Sequence, residues 1–340
     1  MRRALRERPR KWLITGGAGF IGSHLLAELL GLRQRVVILE NFSTGSPRNL
    51  EAVRAVVDPE AWAGLEVREG DLRDPQACAA ACDGVELVLH QAAIASVPAS
   101  LDDPVTTHDV NVTGTLHIFQ AARRAGAQRV VYASSSAVYG TDEAPVKQEA
   151  VTGRLLSPYA ASKAIGELYG QTFTQCYGLE TVGLRYFNVF GPRQDPAGPY
   201  AAVIPLWIQA SLRETPLMVN GDGSSTRDFV SVRNVVQANL QAALAPATLA
   251  AGEAFNIGSG QQIDLMTLIR EITRILALRF PGLRPPEAIH RELRAGDIQH
   301  SLADVSKARL CLAFEPQFGF AEALEETLAW FAAGAAGLQA

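Results

Sequence analysis

Tyr159 and Lys163 stand four residues apart in "SPYAASKAIGE", a spacing that sets both side chains on one face of a helix. A free phenol titrates near pH 10, so service as a base at neutral pH asks for a depression of about 3 units, roughly 4 kcal/mol. A lysine ammonium one turn away is one means of supplying it. Upstream, "ASSSAVYG" (133–140) offers hydroxyls at Ser134, Ser135 and Ser136, one of which is expected to hydrogen-bond the reacting oxygen.

A second constellation lies near the start. In "WLITGGAGFIGSHLLAELL", Gly16, Gly19 and Gly22 follow an apolar strand and open a helical pattern, and Gly17, Gly19 and Gly22 also satisfy G-x-G-x-x-G. A strand that turns sharply into a helix presents backbone N–H groups suited to a diphosphate. The first glycine permits the turn, the second lets the diphosphate approach, and the third lets helix and strand pack. Glu40 ends the next strand about 20 residues on, where an acid binds adenosine ribose hydroxyls. Such an acid repels a 2′-phosphate and favours NAD over NADP, although Arg48 lies nearby. Asp71 in "GDL" (70–72) is placed to accept from the adenine amino group, with Leu72 over the ring. "HQAA" (90–93) ends the fourth strand, where the chain passes beside the cofactor. The charge of an oxidised nicotinamide would then join Lys163 in lowering the Tyr159 pKa.

The elements that must position these groups alternate. Strands are expected at 35–39, 65–72, 85–93, 129–135 and 180–189, with helices near 20–31, 75–82, 105–125 and 157–177. This rhythm predicts a Rossmann-type α/β fold, a doubly wound parallel sheet with a smaller C-terminal α/β substrate domain. After Gly191 the texture becomes Gly- and Pro-rich and irregular, and 227–244 reads as a strand and helix returning to the first domain. The expected division is 1–187 plus about 228–258 for the cofactor domain, and about 188–227 plus 259–340 for the substrate domain.

Composition sets the frame. The chain has 340 residues, nearly half of them apolar, and a net charge of −4, which does not suggest a nucleic-acid partner. Cys78, Cys82, Cys176 and Cys311 make no metal-binding pattern and read as reduced core thiols. The basic start "MRRALRERPRK" has no apolar stretch behind it and reads as a solvated tail rather than a signal peptide. No stretch approaches the roughly 18 apolar residues of a membrane span. A cytoplasmic protein with no membrane partner and no metal is expected.

Together, "TGGAGFIGSHL", "SSSAVYG", "YAASK", "LRYFNVFGPRQDP" and "GDGSSTRDFVSV" resemble the extended short-chain dehydrogenases/reductases of the NAD-dependent nucleotide-sugar epimerase/dehydratase family, over about residues 11 to 333. "RYFNVFGPRQDPAGPYAAVIP" and "ELRAGDIQHSLAD" carry a closer similarity to UDP-N-acetylglucosamine 4-epimerases. The resemblance implies that Tyr159 removes the 4-hydroxyl proton, that Lys163 holds the nicotinamide ribose, and that Ser135 is the catalytic hydroxyl with Ser136 beside it. Dehydratases of the family carry an Asp-Glu pair where this chain has Ser136 and Ala137, which argues against dehydration. The implied cofactor contacts are Gly16, Gly19, Phe20, Ile21 and Gly22, then Glu40, Asn41, Ser43, Thr44 and Gly45. Asp71, Leu72, Gln91, Ala92, Ala93, Tyr159, Lys163 and Tyr186 complete that set. On the substrate side, Arg227, Arg294 and Asn188 would meet the diphosphate, Ala202 and Val203 the uridine, and Asn220 and Asp297 its ribose. Ala95, Ser96, Ala137, Ala202 and Ser301 would line the sugar box. The Ser301 position is typically bulky in epimerases restricted to unacetylated sugars, so a serine leaves room for a 2-N-acetyl group. The implied reaction is oxidation to a 4-keto sugar and reduction from its other face. UDP-glucose or a UDP-hexuronate, its C6 carboxylate held by Arg193, are alternative substrates. A non-catalytic NAD-binding regulatory protein is the alternative from another class. A homodimer through the helices near 105–125 and 157–177 is also implied, with Leu116, Phe119, Ile165, Leu168 and Phe173 at helical spacing.

Overall fold

β1 (Lys11–Thr15), buried along its length beyond Lys11, takes an interior place in a seven-stranded sheet. The computed structural model describes residues 1–196, 201–292 and 299–336. The other strands are β2 (Arg35–Glu40), β3 (Glu66–Glu69), β4 (Leu87–His90), β5 (Arg129–Ser135), β6 (Glu180–Tyr186) and β7 (Glu253–Ile257). Their spatial order is β7-β6-β5-β4-β1-β2-β3, and every pairing is parallel. Successive side chains point to opposite faces. Thus Trp12, Ile14 and Ile38 join one apolar cluster, with Leu25 and Leu29 of α2 (Phe20–Gly31). Leu13, Val37 and Val88 join the other, with Phe119 and Phe173. This is the doubly wound α/β fold expected. A third cluster, built on Phe190, Ile204, Trp207, Leu268 and Leu324, forms the apolar centre of the C-terminal part.

The elements depart from expectation where contacts distant in sequence decide. The first residues are not a free tail: Arg2–Glu7 form a helix, α1, whose Leu5 is buried. Six residues cannot hold a helix alone in water. Here Gln34 Nε2 donates to the Leu5 carbonyl, and Arg2 pairs with Glu28 at 2.9 Å. The long helix expected near 105–125 is interrupted. Pro104–His108 and Gly114–Arg124 are α-helical, and Asp109–Thr113 between them is a π turn. The strand expected at 180–189 breaks at Phe187. Its N–H goes to the Ile257 carbonyl, and the next residues, Asn188–Phe190, pair with Phe229–Ser231 instead of the main sheet. The third and fourth strands are shorter than read, because the chain leaves the sheet at Gly70 and Gln91 to form loops. The stretch after Gly191 expected to be irregular gives way to the helix Val203–Leu212. Cys78 and Cys82 are buried, but Cys176 is exposed and Cys311 half-buried, so these last two are not core thiols.

Candidate active site

The strand order reverses between β1 and β4, and a crevice outside the carboxyl ends of strands at such a point is where parallel α/β sheets bind ligands. A cavity of about 1100 Å³ opens there. Its walls include Gly16, Gly19, Phe20, Ile21 and Gly22 from the first turn, Glu40, Asn41, Ser43, Thr44 and Gly45 after β2, and Asp71 and Leu72 after β3. Gln91, Ala92 and Ala93 after β4 close it. These residues, far apart in sequence, form one wall because all follow carboxyl ends of parallel strands.

The residues fit a dinucleotide. Gly16 has φ +71°, open to glycine at little cost. A Cβ on Gly22 would lie 2.0 Å from the Gly16 carbonyl oxygen, so turn and helix pack as closely as backbone allows. α2 begins at Phe20, and the N–H groups of its first turn have no partner within the helix. Glu40 is buried; its Oε2 accepts from Ala18 N at 3.0 Å, and its Oε1 from Asn41 N and Phe42 N. These bonds fix the carboxylate at the cavity wall, where an adenosine ribose would find an acceptor. Asp71 is engaged more than expected, accepting three bonds from Arg73, one of them from its backbone N–H, and one from Asn41. The Arg73 guanidinium holds its carboxyl well below the usual carboxylate range. Arg48 also borders the cavity.

Gly22→Ala tests the turn directly. Forcing a methyl against the Gly16 carbonyl is expected to cost on the order of 1–3 kcal/mol, or a Tm several degrees lower, with less bound NAD. Thermal melts and nucleotide content check it; wild-type values for both would show that the turn has slack.

Tyr186 is buried beside the end of β4. Its hydroxyl donates to Gln91 Oε1 at 3.0 Å and accepts from Asn239 Nδ2 at 2.8 Å, while Gln91 Nε2 donates to Asn239 Oδ1. This closed triad orients Gln91. Arg193, named as a holder of a C6 carboxylate in the hexuronate alternative, borders the larger cavity, and its Nη2 lies 2.7 Å from His24 Nδ1, while His24 Nε2 lies 2.8 Å from the Pro192 carbonyl. Burial and the nearby Arg193 charge push the His24 pKa down to about 3, so the ring is neutral. A neutral ring donating from Nε2 to Pro192 accepts from Arg193 at Nδ1.

Tyr159, Lys163 and Ser135 lie close to one another. Ser157 caps the N-terminus of α3 (Pro158–Tyr177), and Gly178 ends it in the left-handed conformation. Tyr159 and Lys163 share its face against the end of β5. The Ser135 hydroxyl stands by the Tyr159 phenol and favours its ionised form. Ser135 Oγ accepts from Ala137 N at 3.1 Å, which leaves its proton to donate to the phenol oxygen. Burial raises the Tyr159 pKa, and Ser135 opposes the rise. Lys163 Nζ lies 5.8 Å from the centre of the Tyr159 ring and donates to the Ala133 carbonyl at 2.8 Å. Burial brings its pKa down to about 8, so the ammonium persists at neutral pH. Ser136 opens the turn Ser136–Tyr139 beside Ser135.

On the substrate side, Asn188, Ala202, Val203, Asn220 and Arg227 line one smaller cavity of about 260 Å³. Ser301 is buried, its N–H directed to the Thr226 carbonyl at 3.3 Å. Ser96 caps the helix Val97–Asp102, accepting from Ala99 N. Ala95 borders the larger cavity and Ala137 follows Ser136 in its turn. Arg294 and Asp297 lie outside the described residues.

Sequence reading missed Glu167, Asn111 and Asn239. Asn111, on the π turn, donates to the Ile94 carbonyl and to Ser162 Oγ, tying the loop after β4 to α3. Glu167 was legible in part, one further turn along the Tyr159–Lys163 face.

Comparison with known proteins agrees with this geometry. Residues 12–258 match the family model described as NAD dependent epimerase/dehydratase family. A UDP-glucose 4-epimerase of Mycolicibacterium smegmatis is 36% identical over 322 residues, covering 94% of this chain and 97% of that one. The structure of a UDP-N-acetylglucosamine 4-epimerase from Methanobrevibacter ruminantium, in complex with UDP-N-acetylmuramic acid, superposes with a TM-score of 0.87 at 35% identity, covering 96% and 99%. That of a Thermus thermophilus UDP-glucose 4-epimerase in complex with NAD gives 0.81 at 33% identity, covering 95% and 99%.

Proposed function

Because the chain belongs to the NAD-dependent epimerase/dehydratase family, we propose that it inverts C4 of a UDP-hexose and that its substrates are UDP-GlcNAc and UDP-GalNAc. The placing of Tyr159 beside Ser135 and the Lys163 ammonium carries the reading. Tyr159 takes the proton of the 4-hydroxyl, and Ser135 holds the same oxygen. Lys163 keeps positive charge beside the phenol, which offsets the burial that opposes its ionisation. NAD, when bound, supplies the reversible acceptance of hydride. After the 4-keto sugar turns over, C4 would take the hydride back on its other face while Tyr159 returns the proton to the C4 oxygen. Ser136 and Ala137 offer no acid and base for loss of water. Walls around the sugar also keep water from the keto intermediate.

We assign the uridine to the smaller cavity, against Ala202 and Val203, with Asn220 on its ribose and Asn188 and Arg227 on the diphosphate. By resemblance Arg294 and Asp297 join the diphosphate and ribose contacts. The small side chain of Ser301 supports the acetylated substrates. The engagement of Arg193 by His24 supports a neutral hexose over a hexuronate. In this reading residues 188–227 plus 259–340 form the substrate domain and the rest the NAD domain. A panel of UDP-sugars followed by NMR tests the reading. Interconversion of the acetylated pair is expected; turnover of UDP-glucose alone overturns the acetylated preference, and no C4 inversion overturns the reaction.

A homodimer is part of the same reading. Phe119 and Phe173 pack in the chain's own core and are removed from the proposed interface. Leu101, Val105, Leu168 and Tyr177 stand 60%, 68%, 64% and 49% exposed on the helices near 97–108 and 158–177, unusually open for their size. The solution mass at micromolar concentration is expected to be that of two chains, and a monomer mass contradicts it. No helix among the described residues is long and apolar enough to cross a membrane.

A further inference from the structure

Glu167 lies on α3 one turn beyond Lys163 and two beyond Tyr159, and no step above uses it. Its side chain is largely buried, 15% exposed, and so is its partner Arg185, at 7%. Arg185 grips it with two bonds, Nε to Oε1 at 2.9 Å and Nη2 to Oε2 at 2.8 Å. The same Oε1 accepts from Ser134 Oγ at 2.5 Å. Ser134 precedes Ser135 on β5, and Ala133, just before it, receives the Lys163 ammonium. Lys163 and Glu167 therefore hold consecutive residues of the strand end that delivers Ser135 to Tyr159. Arg185 extends the chain of contacts: its Nη1 donates to the Tyr139 hydroxyl and the Glu149 carbonyl. Tyr139 donates to Asn256 Oδ1, and Asn256 donates to the carbonyls of Lys147 and Asp304. This buried polar path begins at the reacting strand and ends beside the short strand Leu302–Ala303, next to Ser301.

We propose that Glu167 is a positioning residue for the reaction: held by Arg185, it clamps the Ser134–Ser135 end of β5 against α3, one helical turn beyond the Lys163 ammonium. The proposal rests on reading Tyr159, Lys163 and Ser135 as the reacting set. The groups facing Lys163 are few. From α3 they are Tyr159 and Glu167; from β5, the Ala133 carbonyl; from β4, His90, whose ring is neutral because burial and the Lys163 charge hold it down to about 3. Arg185 of β6 faces Glu167. Burial lowers the Lys163 pKa to about 8, and Glu167 is what raises it. Without the carboxylate charge the ammonium loses its proton at lower pH, so activity that needs the ammonium falls away earlier as pH rises.

Glu167→Gln keeps the shape and removes the charge. Measured on the intact NAD-loaded protein with UDP-GlcNAc, or with UDP-glucose if the panel shows that to be turned over, E167Q is expected to lose about tenfold or more in kcat. Its KM and bound NAD stay near wild type, and the alkaline limb of kcat moves about one pH unit towards acid. A merely structural role would lower kcat equally at every pH, so an unmoved alkaline limb overturns the proposal whatever the size of the loss. Ser134→Ala, which removes only the hydroxyl, decides the matter if E167Q does not fold. It is expected to lower kcat several-fold with KM and NAD content unchanged, and wild-type kcat in S134A then overturns the clamp. Tyr159→Phe run alongside separates the two readings. If it is inactive while E167Q behaves as wild type, Glu167 alone is misassigned; if it turns over normally, the reacting set falls and this proposal with it.

Discussion

Tyr159→Phe is expected to leave the fold and the bound NAD intact and to remove nearly all turnover. The ring that packs beside Lys163 is unchanged. What is lost is one hydroxyl, a change on the order of 1 kcal/mol in stability. The phenol oxygen, however, is the only proposed acceptor of the 4-hydroxyl proton. Ser135 is poised as a donor, with its oxygen already receiving Ala137 N, and Lys163 is an ammonium with no lone pair. No other group at this point is set to take its place. General acid–base groups contribute roughly 10² to 10⁴ in rate, and a loss of that size in kcat, with little change in Tm or NAD content, is the expected result. Epimerisation assays on the purified variant measure it directly. Rates near wild type would remove Tyr159 from the mechanism.

The second large effect concerns which sugar is accepted. Ser301 is 7% exposed and sits between the Thr226 carbonyl, which receives its N–H, and Leu302, which pairs with Val146. Its backbone is thus tied on both sides, and a large side chain there cannot escape by moving the strand. Ser301→Tyr adds a ring at a position the family resemblance puts beside the sugar. Overpacking of this kind costs roughly 1–3 kcal/mol, or about 5- to 150-fold in kcat/KM when felt fully in the transition state. If Ser301 leaves room for a 2-N-acetyl group, the loss falls on UDP-GlcNAc and UDP-GalNAc and largely spares UDP-glucose and UDP-galactose. Comparing the two pairs within the same variant cancels any general loosening of the site. Equal losses on all four substrates would show that Ser301 is not the gate.

What the sequence determined unaided is what lies within one element or across one turn. The glycine turn was legible because its strand, its three glycines and its helix are contiguous, and their geometry follows from backbone sterics alone. Tyr159 and Lys163 were legible because four residues is one helical turn whatever the surroundings. The parallel sheet followed from the alternation of short apolar runs with helical patterns, and Glu40 from its place at the end of the second such run. The tertiary structure decided the rest. Arg2–Glu7 are a helix only because Leu5 finds a buried place and Gln34 a carbonyl to bond. The strand after Glu180 breaks at Phe187 because its next hydrogen-bond partners, Asp228 and the strand Phe229–Ser231, belong to another sheet. Arg193 and Tyr186 carry the right chemistry for a ligand, yet His24 and the Gln91–Asn239 pair take up their polar groups first. Glu167 could be placed on the Tyr159 face by counting, but its link to Ser134 and Arg185 exists only because β5 and β6 are neighbours beneath α3. Local periodicity names the face a side chain occupies; which group completes its hydrogen bonds depends on segments that meet only when the sheet forms.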